Sequence, residues 1–173
     1  MIRLEPLTGH HDRSGFECGA DALDGWLKTV ALQHQKKGIS RTFVAVPAGA
    51  SAAEGLHTLG YTSFHGNSVL GFYALASAYV QLDEIPPELS RRFPRQVPVT
   101  RLGRLAVHSG LQGQGLGRLL LADAMNRALG VAQDVGSAGM VVDAKDEAAA
   151  DFYRAFGFSS SGLAPLKLFL PFW

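Results

Sequence analysis

The stretch LGRLAVHSGLQGQGLGRLLLA, Leu102 to Ala122, decides the fold. Leu102 to His108 reads as a strand, Ser109-Gly110 as a turn, Gln112 to Gly117 as a glycine-rich loop, and the apolar residues beyond Gly117 as the start of an amphipathic helix. Glycines at positions 113, 115 and 117 leave backbone amides uncovered by Cβ atoms, so a ligand can approach them closely. A helix that opens there adds unpaired N–H groups and the positive end of its dipole. The combination is a diphosphate site. It is no P-loop, because GxxxxGK[ST] finds no Lys or Ser/Thr in place. The last glycine of a dinucleotide fingerprint is also missing.

Composition sets the frame. A chain of 173 residues, 47% apolar and 18% charged, is most simply one domain, with a core that needs neither disulfides nor metal. The single cysteine, Cys18, points to a reducing compartment and reads as a buried thiol. MIRLEPLTGHHD has an acid at position 5 and no apolar run, which is unlike a signal peptide, and no run approaches a membrane span. The expected location is cytoplasmic. Net charge is only +1, yet the charges are segregated. Gly25 to Ala53 and Leu89 to Ala122 contain no acid but carry Lys28, Lys36, Lys37 and Arg41, and Arg91, Arg92, Arg95, Arg101, Arg104 and Arg118. A positive face for a polyanion is one reading; two ordinary solvated stretches are the other.

The pattern along the chain predicts an edge strand at Ile2 to Pro6 and one helix from Asp21 to Lys36 that Gly38 ends. Leu23, Trp26, Leu27, Val30, Ala31 and His34 share its apolar face. A strand is predicted at Arg41 to Val46, a loop of small residues at Pro47 to Gly55, and a buried strand from Val69 towards Val80. A helical turn is placed in PELSRRF, and the next strand begins near Val99. Helix to about Val131, strand Met140 to Ala144, an Asp146-capped helix ending at Gly157, and one or two closing strands complete the chain. The order gives an α/β protein with a mixed sheet and helices.

Two motifs then carry a resemblance. Gln112, Gly115 and Gly117 match the Q/R-x-x-G-x-G/A acyl-CoA loop of the GNAT N-acetyltransferase superfamily. Ala149, Phe152, Tyr153, Gly157 and Phe158 match its N-x-x-A-x-x-F-Y-x-x-x-G-F signature, with Asp146 where Asn is frequent. The resemblance covers Val99 to Phe158 closely and the rest loosely. It implies a GNAT fold whose central sheet splays at an acetyl-CoA site, with Leu105, Ala106 and Val107 pairing with pantetheine. It further implies that Gln112, Gly113, Gln114, Gly115, Leu116, Gly117 and Arg118, with Asp146 and Phe152, hold the cofactor. Tyr153 is the implied general acid for the departing CoA thiolate, and no metal is expected. No general base stands out; His108 and Asp143 are weak candidates, and an α-amine with a pKa of roughly 7.7 to 8.0 needs little help.

Further segments resemble one GNAT subgroup, the toxins of type II toxin–antitoxin modules: Phe16-Glu-Cys-Gly, Leu23-Asp24, Trp26-Leu27, Gly38 to Val44, LGFYALA, Pro98 to Ala106 and LFLP. That likeness implies acetylation of the α-amino group of aminoacyl-tRNA, a block of translation, a ribbon-helix-helix antitoxin partner and a homodimer. Lys36, Lys37, Arg41, Arg91, Arg92 and Arg95 are the candidate tRNA contacts. Two other classes compete: a housekeeping GNAT acting on a small amine or protein N-terminus, and a CoA-binding module without catalysis.

Overall fold

The computed structural model describes residues 2–162 and 164–173. Seven strands pair in the order β1-β2-β3-β4-β5-β7-β6: β1 Ile2–Pro6, β2 Arg41–Pro47, β3 Gly71–Gln81, β4 Gln96–Val107, β5 Gly139–Asp143, β6 Ser159–Ser160 and β7 Lys167–Pro171. The sheet is mixed: β1 is antiparallel to β2, β4 parallel to β5, and β7 antiparallel to β5 and β6. Among the described residues six α-helices accompany it: α1 Asp21–Thr29, α2 Ala31–Lys36, α3 Ala50–Thr58, α4 Pro87–Ser90, α5 Leu116–Ala132 and α6 Glu147–Arg154.

The chain groups into two compact units, residues 2–74 with 104–124 and residues 75–103 with 125–173. In the first, Phe72, Ala74 and Ala106 from the sheet bury against Phe16, Trp26, Leu27 and Ala31. Alternate residues turn the other way, towards α5 (Tyr73 donates to Asp123 Oδ2 at 2.5 Å). A Cβ on Gly71 would meet Leu120 Cδ1 at 2.9 Å and the Ala106 carbonyl at 3.0 Å, so glycine lets helix and strand close up. In the second unit, Val80, Ile85, Val97, Val99, Val141 and Phe169 form the core.

Two expectations need correction. The helix predicted from Asp21 to Lys36 is divided at Val30, whose φ is −117°. A partner distant in sequence lies at the break: Arg13 Nη1 donates to the carbonyls of Leu27 (3.2 Å) and Lys28 (3.4 Å), in the last turn before Val30. The predicted loop at Pro47 to Gly55 contains most of α3. Its small residues are what allow it to bury, at Ala52 and Ala53. Its end is a Schellman motif, with Tyr61 N–H bonded to Leu56 O and Gly60 N–H, at φ +99°, to His57 O.

Candidate functional site

In the first unit, β4 is the last strand of the sheet, so one edge of Arg104 to Val107 is open for pairing. The register between β4 and β5 covers only Thr100 to Leu102, and β4 continues to Val107 beyond it. Leu105 and Val107 are half-buried and Ala106 is buried. The chain leaves β4 through His108, whose N–H bonds to Leu70 O at 2.8 Å, and enters the loop.

The loop is built for an anion. Gly113 and Gly115 have φ of +78° and +89°, a conformation that side chains disfavour, and open space lies where a Cβ would stand on either. The first helical bond of α5 runs from Leu119 N–H to Gly115 O at 3.2 Å, so the amides of Leu116 and Gly117 have no intrahelical acceptor. Positive-φ glycines beside a 17-residue helix N-terminus present amides to a diphosphate, and Arg118 is exposed on the first turn. These residues fit the phosphates of a CoA thioester.

Two loop side chains brace it. Gln112 Nε2 donates to Cys18 O (2.9 Å) and Val107 O (3.0 Å), and Ser109 N–H bonds to Glu17 O at 2.7 Å. Gln114 Nε2 donates to the Tyr61 hydroxyl at 2.9 Å. Gln112 is therefore a clamp on the loop. The motif gave its position but no hint of these partners, which lie far along the chain.

His108 is held edge-on to Phe16 and Phe64, with centroids 6.0 and 4.9 Å away, and its Nδ1 accepts from Gly110 N–H. That is a structural setting. Trp26 is packed between rings and a cation: Phe72 stacks at 6.1 Å, His34 meets its edge, and the Arg104 guanidinium carbon lies 4.1 Å from its centroid. Burial lowers the Arg104 pKa. Lys36, Lys37 and Arg41 are exposed in this unit.

In the second unit, Asp146 caps α6, its Oδ1 accepting from Ala149 N–H at 2.8 Å. At the other end Phe158 N–H returns to Tyr153 O (3.3 Å) and Gly157 N–H, at φ +99°, to Arg154 O (3.0 Å). The Tyr153 ring is 7% exposed between Phe152 and Phe158, at 5.2 and 5.6 Å. Its hydroxyl makes no hydrogen bond among the described residues. Burial pushes its pKa up to about 12, so it is a phenol, never a phenolate, at neutral pH. Arg91 and Arg95 are exposed, whereas Arg92 Nη2 donates to Trp173 O at 2.5 Å and packs over Phe93. Asp143 pairs with Arg101 (2.9 Å) and Lys167 (3.8 Å), which makes it an ionic partner and a poor base.

A model of the GNAT acetyltransferase domain matches residues 78–160. Similarity extends well beyond it: a tRNA-acetylating toxin of Mycobacterium tuberculosis is 36% identical over 164 residues, 95% of this chain and 88% of the relative. The chain belongs to the GNAT acetyltransferases. Among solved structures, AtaT complexed with acetyl-methionyl-tRNAfMet is similar with a TM-score of 0.83 and 29% identity, over 99% of this chain and 95% of that one. A tyrosine-to-phenylalanine mutant of the AtaT toxin, bound to the C-terminus of the antitoxin AtaR and acetyl-CoA, gives 0.76 and 29%, over 99% and 93%.

Proposed function

We propose that this enzyme is a toxin that moves the acetyl group of acetyl-CoA to the α-amino group of aminoacyl-tRNA and so blocks translation. The observation that carries this reading is the likeness, along nearly the whole chain, to AtaT in complex with acetyl-methionyl-tRNAfMet. Residues 1–173 act as a single acetyltransferase domain, and its place of work is the cytoplasm, where charged tRNA is used. Among the described residues no helix is long and apolar enough to cross a membrane.

Bound acetyl-CoA supplies a thioester, an acyl donor whose thiol has a pKa of roughly 8.5. Gly113 to Arg118 hold its phosphates. The open edge of Leu105 to Val107 takes pantetheine as an added strand, and a backbone N–H there steadies the carbonyl oxygen as the amine attacks. Asp146 and Phe152 line the cofactor's arm. Tyr153 gives its proton to the leaving sulfur. Its raised pKa keeps that proton in place until charge develops nearby, in surroundings that favour neutral sulfur as they favour neutral phenol. The α-amine is partly neutral at pH 7, and the N–H proton it sheds as the amide forms goes to water, so no dedicated base is needed.

Lys36, Lys37, Arg41, Arg91, Arg92 and Arg95 contact tRNA phosphates, which makes binding steeply salt-dependent. Arg92 contributes less than Arg91 and Arg95, because Trp173 O already engages it. A ribbon-helix-helix antitoxin neutralises the enzyme, which works as a homodimer.

The test is transfer of labelled acetyl from acetyl-CoA to a pool of charged tRNAs, comparing the wild type with Tyr153→Phe. Label on aminoacyl-tRNA that falls with salt and is lost in the variant supports the proposal. Label on polyamines or peptides alone overturns it in favour of a housekeeping acetyltransferase.

A further inference from the structure

Arg104 stands out among the charged groups of the first unit. It is half-buried, its guanidinium carbon lies 4.1 Å from the centroid of Trp26, and it makes no ion pair among the described residues. The acids of the neighbouring α1 segment do not pair with it. Asp24 is buried and accepts from Cys18 N–H at 3.0 Å, while Glu17 and Asp21 are exposed beside the groove that Lys28 also lines. Withdrawing a cation from water without an anion is costly, and the ring face of Trp26 returns only part of that cost. The only cause that shifts its pKa is burial, with no carboxylate opposing it. An indole platform fixes the guanidinium, so its N–H groups are positioned before a ligand arrives.

We propose that Arg104 is an acceptor-binding residue, gripping a phosphate of the terminal nucleotides of the aminoacyl-tRNA. This rests on the reading of the enzyme as an aminoacyl-tRNA acetyltransferase. The chemistry needed is a phosphate, which acetyl-CoA also carries. Position separates the two sources. The diphosphate loop follows the C-terminal end of β4, and Arg104 lies four residues upstream of His108, roughly 13 Å along an extended strand. It sits on the face of β4 shared with Ala106 and Trp26, while Gly71 and Tyr73 face α5 on the other side. A phosphate reaching this spot comes with the acceptor. Trp26 is then a positioning residue, acting through Arg104. The short acceptor end, rather than the body of the tRNA, is the part recognised here, and arginine suits both its phosphate and its bases.

Steady-state kinetics with separately varied acetyl-CoA and aminoacyl-tRNA test this on the full chain, using Arg104→Gln, Arg104→Lys and Trp26→Phe. The expected result for Arg104→Gln is a KM for aminoacyl-tRNA raised at least tenfold, with the KM for acetyl-CoA within twofold of wild type. Arg104→Lys should recover part of the loss, and Trp26→Phe should show a weaker form of the same KM change. A rise confined to the acetyl-CoA KM overturns the proposal, since the cation then serves the cofactor. Unchanged constants for both substrates overturn it too. Should Arg104→Gln fail to melt cooperatively, Arg104→Lys decides alone: an unaltered aminoacyl-tRNA KM refutes the need for a planar, stacked cation. A wild type that acetylates no charged tRNA removes the functional reading itself, a result separate from either outcome for the variants.

Discussion

The side-chain amide of Gln112 donates to the carbonyl of Cys18 at 2.9 Å, tying the glycine-rich loop to a segment 94 residues earlier. The same nitrogen reaches Val107 O, so one group fixes both the loop and the end of the strand before it. Gln112→Ala removes both bonds and leaves two carbonyls to water. Because the site is exposed, the expected loss of stability is about 1 kcal/mol, read from chemical denaturation. The expected kinetic effect is a several-fold higher KM for acetyl-CoA with little change in that for the acceptor.

Gly115→Ala isolates the loop's backbone. Open space surrounds the new methyl group, so the penalty comes from its φ of +89° alone, about 1–3 kcal/mol. The strain falls on the turn that carries the Leu116 and Gly117 amides, which are proposed to bind the diphosphate. Isothermal titration with CoA should give binding at least tenfold weaker than wild type.

Tyr153→Phe preserves the packing against Phe152 and Phe158 and deletes the hydroxyl proposed as proton donor. Its thermal melt should match wild type, while kcat falls by about 10² to 10⁴. With the phenol pKa pushed up to about 12, the wild-type kcat profile should show no loss assignable to this tyrosine between pH 7 and 10.

Stability should also respond to acid in a defined way. Glu5, bonded to Arg3 and His11, Asp12, bonded to Ser14 and His65, and Glu84, bonded to Gln81 N–H and Lys167, all titrate below their ordinary values of 4.5, 3.8 and 4.5. The unfolded chain therefore takes up protons first as the pH drops. Their contribution is complete above about pH 5 and is lost as the pH falls through the depressed folded values. Urea midpoints measured from pH 7 to pH 3 should be level at first and then decline; a midpoint that rises below pH 4.5 contradicts this assignment.

Base should reveal Tyr153 in the opposite sense. Its folded pKa lies above the unfolded value of 10.0, so the stability it confers is full below pH 10 and disappears as the pH rises towards about 12. The wild type should lose more stability than Tyr153→Phe across that interval, measured by denaturant midpoint.

Features with a local cause were legible in the sequence. Asp146 and Gly157 mark the ends of α6 because capping involves residues three to five apart, and Gly113 and Gly115 mark the loop because only backbone conformation is at stake. What escaped notice depends on distant partners. The break at Val30 comes where Arg13 bonds the last turn of α1, and α3 buries Ala52 and Ala53 in a segment that composition alone marks as loop. Within the candidate site, the motif marks Tyr153, and the structure adds its burial between Phe152 and Phe158. Arg104 counted in the sequence only as one more positive charge, since its setting appears when the face of β4 meets the face of α1.

Gly139 has a consequence for how such a chain escapes selection. A Cβ there would stand 2.3 Å from the Leu170 carbonyl and 2.7 Å from the Phe169 ring, and both belong to β7, which is paired on either side with β5 and β6. Under the proposed toxin activity, the cells that survive are those in which the protein is disabled. Substitutions at Gly139 should therefore recur among spontaneous suppressors as often as changes at Tyr153. A map of such suppressors would trace close backbone packing as well as chemistry, and the two kinds would part on one property: the first class leaves no soluble protein, the second leaves a full complement of inert enzyme.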